Sequence, residues 1–184
     1  MKIQNLIYDG SKYLRNNNII SHKIDSEILM SKVLKKRREY VILNPDCEVN
    51  TLQLNNFKSL IFQRSHGKPI AYLTGKKNFW NFEFRVSQDV LIPRPDTELL
   101  IEEALKITKN KSKLKILDIG IGSGCILLSI LKEKRNFYGT GVDLSKKCID
   151  ISKINALNLG VSNRVKFFKS DIDNFNCGKY DLVI

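Results

Sequence analysis

Histidine is nearly missing from this chain: His22 and His66 are the only two. Cysteine is sparse, and Cys47, Cys125, Cys148 and Cys177 stand far apart with no CxxC pair. These shortages argue against a zinc centre, leave no metal ligands to name, and fit reduced thiols that are buried or incidental. Long apolar runs are lacking too. No stretch approaches the roughly 18 uninterrupted apolar residues of a membrane span. The opening "MKIQNLIYDGSKYLRNN" turns polar too soon for a signal peptide. The expectation is a cytoplasmic protein with no membrane contact. Acidic residues are outnumbered, 19 against 31 Lys and Arg, for a net charge of +12. Two readings of that excess stay open. It can mark a nucleic-acid partner. The abundance of Lys, Asn and Ile also fits codon drift, and the lysines are scattered, with no run beyond "KKRR" at 35–38.

What is present divides into two patterns. Residues 1 to about 66 carry apolar positions at helical spacing: Ile3, Leu6, Ile7 and Leu14; then Ile28, Leu29, Val33 and Leu34 behind Asp25 or Ser26 as a cap; then Leu54, Phe57, Leu60 and Ile61 behind Thr51. "NPD" at 44–46 interrupts them. This predicts a small helical bundle. In "FWNFEFRV", Trp80, Phe82, Phe84 and Val86 alternate with polar residues, a strand with one apolar face. "SQD" is read as the turn and "VLI" as the second strand of a hairpin. "PRPDTE" then stops the sheet, and Asp96 or Thr97 caps the helix "ELLIEEALKIT". The expected division is a helical domain over 1–72, a hairpin linker over 73–95 and an α/β domain over 96–184.

From residue 113 strands and helices alternate: "KLKILDIG", "SGCILLSILKEK", "FYGTGVDLS", "KKCIDISKINALNLG", "RVKFFKSD" and "YDLVI". Such alternation implies a parallel sheet with right-handed crossovers, with ligands at the carboxyl ends of its strands. Three groups fall at those ends: the loop "DIGIGSG", then Asp143, then Asp171. A dinucleotide site wants G-x-G-x-x-G, but the position three after Gly122 is Cys125. The actual pattern is D-x-G-x-G-x-G, from Asp118 through Gly120 and Gly122 to Gly124. That form suits S-adenosylmethionine (SAM), which has no phosphate. Asp118 is placed to meet its amino group, Asp143 to accept the ribose hydroxyls, and Asp171 to take the adenine amino group with Ile172 against the ring.

"KPIAYLTG", "FWNFEFRVSQDVLIPRPDTE" and "ILDIGIGSG" together resemble the release-factor glutamine N5-methyltransferases of the HemK/PrmC type. The resemblance runs the length of the chain; "VLIPRPDTE" is its most specific part, whereas the glycine loop is common to class I methyltransferases. It implies a Rossmann-like class I fold, incomplete at its C-terminus, with strand order 3-2-1-4 for the strands present. It implies methyl transfer from SAM to the glutamine amide of the Gly-Gly-Gln loop of bacterial release factors 1 and 2. It assigns cofactor contacts to Gly120, Ile121, Gly122, Ser123, Gly124, Asp143 and Ile172. The helical front, residues 1 to about 72, has a core but no catalytic groups and is expected to recognise the protein substrate.

The catalytic Asn-Pro-Pro-Tyr of that family does not occur before Ile184, so it is expected beyond it, and no catalytic residue is assigned within the chain. The aromatic face of Trp80, Phe82 and Phe84 is read as packing rather than a pocket wall; Arg94 and Glu98 are candidates for the border of the site. Other readings stay open: a ribosomal-protein glutamine methyltransferase, an adenine-N6 DNA or RNA methyltransferase, towards which the charge leans, and a SAM-binding fragment without catalysis.

Overall fold

The computed structural model describes residues 1–184, which form two compact units, Met1–Thr74 and Gly75–Ile184. The first is helical: α1 (Ile3–Asn16), α2 (His22–Leu34), α3 (Arg38–Leu43), α4 (Thr51–Ser65) and the short α5 (Ile70–Thr74). Its core gathers Ile3, Leu6, Leu14, Leu29, Met30, Phe57 and Ile61 from α1, α2 and α4. Gly10 permits the close crossing, since a Cβ there would stand 2.8 Å from Ser26 Oγ and 2.9 Å from Phe57 Cζ.

Two of the expected caps move. The helix α2 begins a turn earlier than Asp25, after Ser21. Asp25 is buried instead, accepting from Arg64 Nε at 2.7 Å and from Ser21 Oγ at 2.7 Å. An ion pair that closes a bundle outcompetes a local cap, because a buried carboxylate needs partners on every side. On α4 the cap is Asn50, not Thr51: its side chain accepts from Gln53 N at 2.9 Å while Gln53 Oε1 accepts from Asn50 N at 3.0 Å. This reciprocal pair satisfies two otherwise orphan N–H groups. The helices α3 and α5 were not foreseen; both are short for periodicity to reveal.

The second unit opens with an antiparallel hairpin, β1 (Lys76–Phe79) and β2 (Phe82–Arg85). The turn therefore lies at Trp80–Asn81, and "VLI" is not a strand. Val90 N–H bonds to Ser87 C=O in a local turn, which takes it out of any ladder. Trp80 adopts a left-handed φ of 54°. It is held there by Glu98, whose Oε1 accepts from Trp80 N at 2.7 Å, and by Glu133, which accepts from the indole Nε1 at 2.8 Å. Glu98 thus serves the hairpin. Phe79 and Phe84 meet edge to face, 6.2 Å between centroids, inside the core of this unit.

After α6 (Glu98–Ile107) come β3 (Lys115–Ile119), α7 (Cys125–Glu133), β4 (Tyr138–Asp143), α8 (Lys146–Asn158), β5 (Val165–Lys169) and β6 (Leu182–Val183). The sheet is parallel, in the order β5-β4-β3-β6. That is the order 3-2-1-4 of a class I methyltransferase fold, with the switch point beside β3. Neither Asp96 nor Thr97 caps α6 with its side chain; a 3-10 turn over Pro95–Thr97 leads in. No helix is long and apolar enough to cross a membrane.

Candidate functional site

The carboxyl ends of β3, β4 and β5 bring the predicted groups to one edge of the sheet. Leaving β3, the chain docks on β4 at once: Gly120 N and Ile121 N donate to Val142 C=O at 2.8 and 3.0 Å. Gly120, Gly122 and Gly124 have φ of 78°, 55° and 79°. Three left-handed residues at alternate positions demand glycine, because a Cβ costs about 1–2 kcal/mol in this region. Space is the second demand. A Cβ on Gly120 would meet nothing within 4 Å, and one on Gly122 only the Gly120 carbonyl at 3.8 Å. The outer side of the loop is open. Gly124 differs, since its Cβ would press on Leu128 at 2.7 Å.

Asp143, at the end of β4, braces this loop. Its Oδ2 accepts from Gly122 N at 2.9 Å and its Oδ1 from Ser145 N at 2.8 Å. Each carboxylate oxygen keeps a second lone pair for a ligand hydroxyl. Ser170 N donates to Asp143 C=O at 3.1 Å, which sets the start of the Asp171 loop beside it.

Asp118 is 4 % exposed on β3. Burial is the main force pushing its carboxyl up to about 7; the Asp143 charge adds to this, and the Leu127 N–H opposes it. A carboxyl in this state stands ready for a cation, whose arrival favours the ionised form.

The other predicted residues divide. Ile121 is buried and its side chain packs on Gly141, where any Cβ would collide with it. Its role at the loop is therefore through backbone. Ser123 is buried as well. Asp171 folds back on its own loop, Oδ1 accepting from Asn174 N at 2.7 Å and Oδ2 from Asn174 Nδ2 at 2.8 Å. These bonds, the side-chain one first, hold its carboxyl below the usual range. Ile172 beside it is 46 % exposed, an available apolar face. Arg94 is exposed, with its side chain in no ion pair.

Two contributors went unread in the sequence. From α8, Ser152 Oγ donates to Gly122 C=O at 2.8 Å and Asn155 Nδ2 to Ser123 C=O at 2.8 Å. Both are fully buried. The available signal was a Ser and an Asn three apart on a helix face otherwise carrying Cys148, Ile149 and Ala156.

Known proteins match in the same two parts. Residues 5–75 fit the model of the PrmC N-terminal domain, and residues 110–184 fit that of a methyltransferase domain. The chain belongs to the PrmC-type methyltransferases. A release factor glutamine methyltransferase of Buchnera aphidicola subsp. Schizaphis graminum is 40% identical over 88% of this chain and 58% of its own length. One from Buchnera aphidicola subsp. Baizongia pistaciae is 38% identical over 100% of the chain and 66% of its own. A bifunctional methyltransferase of Rickettsia bellii is 31% identical over 99% of the chain and 38% of its own. The chain thus spans about two thirds or less of the length of these relatives.

Proposed function

We propose that this PrmC-type chain binds SAM at the glycine loop and serves, in the cytoplasm, the methylation of a release-factor glutamine amide, that of the Gly-Gly-Gln loop of release factors 1 and 2. The observation that carries the reading is the Gly122–Asp143 hydrogen bond beside open space. It presents a side-chain-free backbone and a carboxylate together, as a phosphate-free nucleoside requires. In this reading Gly120–Gly124 lie along the methionine part, Asp118 faces its ammonium, Asp143 accepts the ribose hydroxyls, and Ile172 covers the adenine. Asp171, with one Asn174 bond on each oxygen, keeps a second lone pair on each for the adenine amino group. When bound, SAM supplies a methyl group on a sulfonium, already electrophilic.

The protein's task is then orientation. An amide nitrogen is a weak nucleophile, and holding it in line with the methyl carbon can contribute about 7–11 kcal/mol. Among these 184 residues there is no Asn-Pro-Pro-Tyr, the element implied by the family for gripping the amide. The proposal therefore gives these residues the cofactor half of the reaction, and gives the bundle the protein substrate. The support for both is the pair of domain matches and the relatives' names. The test is labelled-methyl transfer by the protein to a release factor, to a ribosomal protein and to DNA, beside calorimetric titration with SAM. Saturable SAM binding with no turnover by residues 1–184 is the expected result. Transfer to DNA would overturn the substrate reading, and absence of SAM binding would overturn the cofactor reading.

A further inference from the structure

The helix α8 holds more than the glycine loop. Asn155 Oδ1 accepts from Arg85 N at 2.7 Å, and Asn155 Nδ2 donates both to Arg85 C=O at 3.0 Å and to Ser123 C=O at 2.8 Å. One amide therefore imitates a strand partner for the end of β2 and at the same time holds the loop after β3. It does so at 0 % exposure. Every bond it makes is to backbone, so neither partner's side-chain type enters. One turn nearer the N-terminus of α8, Ser152 holds Gly122. At the N-terminus itself Lys147 Nζ meets Asp89 Oδ1 at 2.6 Å and Cys148 Sγ donates to Asp89 C=O at 3.4 Å. The segment Arg85–Asp89 is thus fastened to the same helix at both ends. Ser145, which caps that helix, donates its N–H to Asp143.

We infer that Asn155 is a positioning residue that yokes the hairpin to the glycine loop, so that filling the loop stiffens the segment from Arg85 to Asp89 at the rim of the site. The inference rests on the reading that the loop holds SAM. Its physical content is an equilibrium between closed and locally open forms. A ligand that binds only the closed loop lowers the open population by 1 + [L]/Kd. Because Asn155 bridges Ser123 and Arg85, an opening that releases the loop also releases the Arg85 N–H. The Asp89 contacts with Lys147 and Cys148 are exposed or weak and hold less firmly. Only Asn has the reach and the mixed chemistry for this. Asp in its place accepts from Arg85 N–H but turns a carboxylate towards two carbonyls; Leu leaves three backbone groups without this partner.

The test is amide hydrogen exchange with S-adenosylhomocysteine as the probe, its affinity measured by calorimetry on the same samples. The reference is the Thr108 amide, which bonds to Ala104 C=O at 3.1 Å at the C-terminal end of α6 and shares no bond with α8. With ligand at about 100 times its Kd, exchange at Gly122 and at Arg85 should both slow by up to about 100-fold, beyond any slowing at Thr108. In Asn155→Asp, affinity should fall about tenfold, and at renewed saturation exchange at Gly122 should still slow on adding ligand while Arg85, bonded to the carboxylate but no longer linked to Ser123, does not slow with it. Merely structural support would lower the melting temperature and leave Arg85 protected in step with Gly122. If Asn155→Asp does not fold, the unmodified protein decides alone: slowing at Gly122 with none at Arg85 beyond Thr108 overturns the inference. Absence of any S-adenosylhomocysteine binding is a different failure, visible in the calorimeter, and removes the cofactor reading on which the yoke depends.

Discussion

The two units handle buried polar groups in opposite ways. In the bundle, Asp25 is enclosed by its own partners, Arg64 and Ser21, and the network is finished. In the α/β unit, Asp118 is as deeply buried yet its carboxyl is pushed up to about 7, while the glycine loop above it carries three left-handed residues and faces open space. The bundle spends its polar groups on itself. The α/β unit leaves left-handed backbone and a buried carboxyl with no cationic partner where a ligand can supply one, the expected trade at a binding site.

Two glycines break the comparison most sharply. Gly122→Val puts a branched side chain at φ 55° and into the space a ligand needs, so SAM binding should fall beyond detection by calorimetry while far-ultraviolet dichroism is kept. Gly10→Val drives methyls against Ser26 and Phe57. It should cost about 1–3 kcal/mol of bundle stability in denaturant melts, with SAM affinity unchanged. Equal effects of both variants on affinity would end the distinction.

The next largest effect belongs to the ion pair. Asp25→Ala strands the Arg64 guanidinium, whose side chain is 17% exposed. Removing one partner of a buried pair costs about 3–5 kcal/mol, and partial exposure makes the lower end the expectation. Cofactor affinity should again be unaffected. Asp143→Ala reverses the pattern: losing charge-assisted bonds worth roughly 1.5–3 kcal/mol each should weaken SAM at least tenfold, with little change in the melting temperature. A loss of fold would mean that its bonds to Gly122 and Ser145 are primarily structural.

Asp118 gives the finest discrimination. Its folded pKa lies above its ordinary 3.8, at about 7. The stability it contributes is therefore complete below about pH 4 and lost as pH rises through 7. Ligand affinity runs the other way, since an ammonium needs the ionised carboxylate: it should tighten up to pH 7 and level off above. Asp118→Asn should flatten both profiles in thermal melts and titrations from pH 5 to 8.5. Parallel slopes in the wild type, stability and affinity rising together, would contradict the assignment.

Much of this site was legible because its residues act through their neighbours in sequence. The loop glycines and Asp143 follow from spacing and from the alternation of strands with helices, and the strand order from the family resemblance. What escaped depends on distant partners. Asp25 looked like a helix cap because Arg64, 39 residues away, is invisible to local pattern. Ser152 and Asn155 looked like ordinary helix residues because what they bind is the backbone of remote loops. The hairpin turn was displaced by Glu98, which captures the Trp80 N–H across 18 residues and fixes a left-handed tryptophan that no turn propensity suggests. Asp171 shows the opposite case, a purely local partner: Asn174 donates to both of its carboxylate oxygens.

The central claim is that the open side of the glycine loop is a SAM site, and calorimetric titration of the unmodified protein with SAM at pH 8 tests it most directly. The account predicts a saturable isotherm with one ligand per chain, lost in Gly122→Val and weakened in Asp143→Ala. An isotherm that both variants leave unchanged, or no binding heat at any ligand concentration up to the millimolar range, would contradict it.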